Sequence, residues 1–158
     1  MESFYASLYI DIMERIKAKV PEINWIEQDF GQDVIDKWRP NVLFPALLID
    51  FSNSEYEGES ESNQFANVTV RIRLLVAPFT QSYEGAPVEV IEKALNYFDV
   101  ENNVVRALHN WHPTYCQPLI RVRASSQNRG DIGLRIRTID FATSYEEEFE
   151  EDNYWVEQ

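Results

Sequence analysis

His109 and His112 lie three residues apart, with Cys116 four residues further on, and together they hold the obvious metal-ligand chemistry of this 158-residue chain. Histidines at that spacing share a helix face, and a nearby thiol would supply a third zinc ligand. Pro113 interrupts any helix through the set, however, and no fourth ligand follows at a recognisable spacing. A histidine near a helix C-terminus is favoured by the helix dipole with no metal present. The expectation is therefore no metal and no cofactor. Nucleophilic catalysis has no better footing. The sequence contains no Gly-x-Ser-x-Gly elbow and no phosphate-cradling glycine loop, with five glycines in all. Arg129-Gly130-Asp131 reads as a turn between two strands. Dense carboxylates occur only where nothing apolar would hold them, which does not suit a general acid. The chain reads as non-enzymatic.

The pattern that does stand out is arginine. Arg71-Ile72-Arg73, Arg121-Val122-Arg123 and Arg135-Ile136-Arg137 each place an apolar residue between two arginines. In a strand, period two puts both arginines on the face opposite the central residue. Strands sharing a sheet would then gather six of the 14 basic residues on one face. Either that face is solvated and balanced by cross-strand acids, or it docks an acidic partner through the planar guanidinium fork. The chain supplies such a partner in Glu146, Glu147, Glu148, Glu150, Glu151 and Asp152. Handed to a neighbouring copy, with Phe149 and Trp155 as apolar anchors, this segment would join subunits. A rival reading has the arginines line a lumen crossed by DNA, with phosphates as the acids.

These residues need elements to position them. Phe4, Leu8, Ile12 and Ile16 recur at helical spacing; Ser3 can cap the helix and Pro21 ends it, which predicts a helix over 3–19. Ile23–Ile26 is a short strand candidate, and Val42–Phe51 an apolar one containing Pro45. Val68, Val70, Ile72, Leu74 and Val76 alternate with mostly polar residues and give the clearest strand. Val88, Ile91, Leu95 and Phe98 form one apolar stripe, and Val104, Val105, Leu108 and Trp111 another. Asp99 between them suits an N-cap, so 88–111 reads as two helices or one kinked helix. Leu119–Ala124 and Leu134–Tyr145 alternate as strands; in the latter the apolar set shifts by three near Thr138, which suggests a bulge. The expected fold is α+β: a mostly antiparallel sheet of four to five strands, with the N-terminal helix and a central helix pair on one face.

A chain of 158 residues fits one domain, 1–146, followed by an acidic tail at 147–158. The net charge of −13 sits largely in that tail and in residues 55–61; without their ten acids, 17 acids face 14 bases. Residues 52–64 accordingly read as an acidic mobile loop. One cysteine excludes an internal disulfide framework and fits a reducing compartment. The start lacks the basic stretch of a secretory signal, and no run approaches the roughly 20 apolar residues of a membrane helix.

Val104-Val105-Arg106-Ala107-Leu108-His109-Asn110-Trp111 is followed by Pro118-Leu119-Ile120-Arg121-Val122. After a polar turn comes Leu134-Arg135-Ile136-Arg137-Thr138-Ile139-Asp140-Phe141-Ala142-Thr143-Ser144-Tyr145. In this order, and with the N-terminal helix and the Val68–Val76 strand before them, these strings resemble bacteriophage tail completion or tail terminator proteins, a group of minor tail proteins. The resemblance covers most of residues 3–146. It implies a structural α+β subunit that forms a homo-oligomeric ring, typically hexameric, at the head-proximal end of a phage or prophage tail. Such a ring stops tail-tube polymerisation and meets the head connector, with DNA only as passing cargo, no membrane and no cofactor. Localisation would be the virion, after assembly in the host cytoplasm. The alternatives are a head-completion or neck protein and, from another class, a small acidic protein-binding regulatory module.

Overall fold

A computed structural model describes residues 3–32, 43–58, 60–77, 82–130 and 133–149. The chain runs α1 (Phe4–Lys19), β1 (Trp25–Gln28), β2 (Ala46–Gly58), β3 (Asn63–Val76), α2 (Val88–Leu108), β4 (Ile120–Ser126) and β5 (Arg135–Glu148). The five strands form one sheet in the order β1-β2-β3-β5-β4. β1 pairs with β2 in parallel, and every other neighbouring pair is antiparallel. The fold is thus α+β on a mixed sheet.

The Ser3 hydroxyl accepts a hydrogen bond from the Ala6 N–H, and Lys17 and Lys19 lie in the last turn of α1, where they complement the helix dipole. Leu8, Ile12 and Ile16, four apart, are fully buried. They lie on Leu47, Ile49, Val70, Ile72, Ile139 and Phe141. Burial of each large aliphatic side chain contributes roughly 1.5–3 kcal/mol. Val104, Val105 and Leu108, in the second half of α2, complete this core on the same face of the sheet.

α2 is one continuous helix of 21 residues, not a pair. Asp99 sits within it and is no N-cap. All its buried residues fall in 100–108. The stripe of Val88, Leu95 and Phe98 stays exposed at 66, 43 and 44 %. Two apolar stripes thus reflect two environments along one helix. The helix ends where Asn110 takes a left-handed φ of 62°, with its N–H donating to Leu119 O.

Two further expectations change. Residues 52–64 contain no long loop: β2 and β3 pair from Ala46↔Leu75 to Gly58↔Gln64. β5 pairs with β3 without a register shift from Val76↔Arg135 to Asn63↔Glu148, so there is no bulge near Thr138. The apolar set shifts because the sheet has two buried faces. Ile139 and Phe141 meet the helices, while Leu134 and Ile136 join Ala46, Leu48 and Leu75 in a second cluster on the reverse face. Among the described residues no helix is long and apolar enough to cross a membrane.

Candidate assembly surface

The strand registers decide where the six arginines go. Asp50, Arg71, Asp140 and Arg123 stand directly opposite one another across β2, β3, β5 and β4. This row alternates acid and base on the sheet face away from the helices, the favourable arrangement for cross-strand neighbours. Arg71 Nε donates to Asp140 Oδ1 at 2.9 Å and its Nη2 to Oδ2 at 3.2 Å. That fork, made first by the hydrogen bonds to Asp140, raises the Arg71 pKa above its usual value. On the same face Arg73 pairs with Asp29 at 3.3 Å, with both side chains largely buried.

Arg135 and Arg137 point the other way. Val76 stands opposite Arg135 and Leu74 opposite Arg137, so it is Ile136 that shares a face with Arg71 and Arg73. Arg137 reaches the α2 side, where its Nη2 donates to Glu101 Oε2 at 3.3 Å and its Nη1 to Ser126 Oγ at 2.6 Å. The hydrogen bond to Glu101 raises its pKa. The guanidinium of Arg135 lies 5.5 Å from the Tyr97 ring centre, and that of Arg137 lies 5.8 Å from Phe98.

The remaining triplet is split by a bulge. Arg121 stands opposite Phe141 and Arg123 opposite Asp140, leaving Val122 as the extra residue. Arg121 and Arg123 therefore leave β4 on opposite faces. The single arginine face expected from period two does not form: Arg71, Arg73 and Arg123 occupy one side of the sheet, and Arg121, Arg135 and Arg137 the other.

β4 is one of the two edge strands, and all seven of its residues are exposed, including Ile120 at 41 % and Val122 at 59 %. Among the described residues neither Arg121 nor Arg123 has an ion pair. The backbone N–H of Arg121 donates to His109 Nδ1 at 3.1 Å, tying the strand to the end of α2. Together with the bulge, this bond leaves the edge poorly suited to strand addition but open to side-chain contacts.

The acids collect elsewhere. Glu146, Glu147 and Glu148 are the last residues of β5, opposite Phe65, Gln64 and Asn63. Glu150, Glu151, Asp152 and Trp155 lie outside the described residues. With Glu55, Glu57 and Glu61, the three strand-borne glutamates form an exposed acidic end of the β2–β3–β5 blade. Residues 51–70 and 142–149 contain no lysine or arginine. Tyr56 and Phe149, exposed at 46 and 48 %, give this end apolar surface, and Phe149 N–H donates to Ser62 O at 2.7 Å.

A tyrosine cluster on the helix side holds the blade at its root. Tyr5 Oη donates to Ser54 Oγ at 2.7 Å and hydrogen-bonds Tyr56 Oη, while the Tyr56 and Tyr145 hydroxyls lie 3.5 Å apart. Phe4 stacks on Tyr145 at 3.7 Å between ring centres. Burial raises the pKa values of Tyr5 and Tyr145, whereas the hydrogen bond with Tyr145 lowers that of Tyr56. Tyr5 sits on α1, far in sequence from both partners, which hid the cluster from reasoning on single elements.

His109, His112 and Cys116 do not converge. His109 accepts the Arg121 N–H, His112 is exposed, and Cys116 is buried, which raises its thiol pKa. Among the described residues no group of three or more His, Cys, Asp and Glu could hold a metal ion. Among the described residues, α1 borders a groove of about 260 Å³ between Met13, Lys17, Ile23 and Trp25 and another of about 480 Å³ between Tyr5, Tyr9, Gln28 and Phe51. Neither brings one of the arginine or histidine candidates into play.

No protein-family model matches this chain, and no curated protein does. Among solved structures, a chain described as "Virion of native gene transfer agent (GTA) particle" is similar in fold. Its TM-score is 0.54 at 11 % identity, covering 92 % of this chain and 99 % of that one.

Proposed function

We propose that this chain is a non-enzymatic structural subunit of a phage-like virion, a tail terminator or completion protein that forms a homo-oligomeric ring joining tail tube to head. The observation that carries the reading is the fold similarity to a chain of a gene transfer agent virion, which extends over nearly the whole of both chains. The distribution of charge supports it. Six exposed glutamates gather at one end of the sheet, while Arg121 and Arg123 on the β4 edge have no ion pair among the described residues, a separation that suits a subunit meeting copies of itself. The partners in this reading are further copies of the chain, a tail-tube protein and a head connector, with DNA passing through, and the location is the virion. The motifs resembling tail terminator proteins lie on α2, β4 and β5, the elements around the β4 edge.

The test is to remove the chain from a producing cell and image the particles. Tails of uncontrolled length that fail to join heads are the expected result. Normal joined particles would overturn the proposal. Tails of normal length beside unjoined, leaking heads would assign the chain to head completion instead.

A further inference from the structure

We infer that the acidic end of the β2–β3–β5 blade of one copy docks on the β4 edge of the next, with Glu55, Glu57, Glu146 and Glu147 facing Arg121 and Arg123. The inference rests on the ring reading and adds to it the two surfaces that meet. Three observations lead to it.

First, the two patches are complementary in charge, and Asp140, the acid that stands opposite Arg123, is already forked by Arg71. The blade end has six exposed glutamates and no base in its segments, while the β4 arginines have no ion-pair partner among the described residues. The other four arginines of the triplets differ: Arg71, Arg73 and Arg137 pair with Asp140, Asp29 and Glu101, and Arg135 lies over Tyr97. Blunting a sheet edge explains charge on β4, but it does not explain a matching excess of acid elsewhere.

Second, the match cannot be made within one subunit. Arg121 stands opposite Phe141, five residues along β5 from Glu146. At roughly 3.3 Å per residue that is about 17 Å, and Arg123 is further still. Extended side chains do not close such a gap, and β5 is held straight by continuous pairing with β3 up to Glu148. The acids must look outward.

Third, each patch has apolar surface to anchor the charges. Tyr56 and Phe149 lie at the acidic end, and Ile120 and Val122 on β4. Exposed ion pairs alone contribute little and are screened by salt, so an interface of this kind needs such anchors at its centre. The two patches lie on different parts of the subunit, so a head-to-tail contact between them, with a rotation that closes, builds the ring of the proposed function.

Single cysteines test the contact in the full chain. The native Cys116 is buried, so background coupling is low. Glu57→Cys and Arg123→Cys proteins are mixed, allowed to assemble and oxidised. The expected result is a disulfide-linked dimer that needs both variants and is absent with either alone. Self-association of wild-type protein together with no mixed disulfide would overturn the docking and leave the ring reading standing. No self-association under any condition would overturn both.

Charge exchange supplies the second measurement. R121E/R123E and E55K/E57K should each weaken self-association by at least about tenfold, through like-charge juxtaposition at the contact. Mixing the two reversed proteins should restore assembly in alternating order. If both reversals leave assembly intact, or if R121E/R123E abolishes only retention of duplex DNA, the arginines serve phosphates and not a second copy.

Discussion

Arg71 and Asp140 face each other across β3 and β5, forked at 2.9 and 3.2 Å, with Asp140 only 4 % exposed. A carboxylate this buried depends on its partner, and the partner is a residue that sequence pattern alone offered to another molecule. Asp140→Ala should cost about 1–3 kcal/mol, since it strands a half-buried guanidinium but leaves it some access to water. Urea unfolding would show the midpoint falling with an unchanged slope. A loss below about 0.5 kcal/mol would mean that Arg71 is solvated after all.

Arg121 and Arg123 should behave in the opposite way. Both are exposed on β4; reversing Arg121 should change unfolding stability by no more than about 0.5 kcal/mol, whereas reversing Arg123 sets a glutamate opposite Asp140 and should cost up to about 1 kcal/mol. Arg137→Glu, placed against Glu101 and under Phe98, should be markedly destabilising. Thermal melts of the three variants side by side would show whether the sheet sorts its arginines as described.

Asp99 tests the continuity of α2. Mid-helix aspartate is a poor helix former, so Asp99→Ala should stabilise by about 0.5 kcal/mol. Were Asp99 the cap of a separate second helix, the same change would cost about 1 kcal/mol. The sign of the change in melting temperature decides it.

Alkali should loosen the root of the blade. The folded state raises the pKa values of Tyr145 and Tyr5 above the ordinary 10, so it holds their protons where the unfolded chain has released them. Their contribution is complete below pH 10 and falls as pH rises past it; the lowered pKa of Tyr56 works against this in part. Tyr145→Phe should flatten the alkaline decline, read as urea midpoints at pH 9, 10 and 11.

Much of the fold was legible because periodicity and burial coincided. Leu8, Ile12 and Ile16 marked the buried stripe of α1, and the alternation through Val68–Val76 marked a central strand. Where both faces of the sheet are covered the rule misled. Ile136 and Ile139 are each buried, on opposite sides, and their spacing imitated a bulge that the β3–β5 pairing does not contain. The register shifts that do occur are at Ser52 in β2 and Val122 in β4; the latter carried no such signal, because β4 is exposed throughout and its composition records neither face. The hairpin at 52–64 was hidden for a similar reason. Its strands are held by backbone pairing and project into solvent, so glutamates and serines alternate with one another instead of with apolar residues. As for the candidate surface, the triplets were visible but their grouping was not. Register between strands, which single-strand periodicity does not encode, sent Arg135 and Arg137 to the helix side.

In the proposed function the chain is a ring-forming subunit joined through charged patches and their apolar anchors. Native mass spectrometry of the purified 18.6 kDa protein over a series of salt concentrations, with and without tail-tube protein, tests it most directly. The expected result is one closed oligomer of fixed stoichiometry, about six copies if the tail terminator resemblance extends to ring size, that dissociates as salt rises and screens the contact. A monomer at every salt concentration, even with tail tube present, would contradict it.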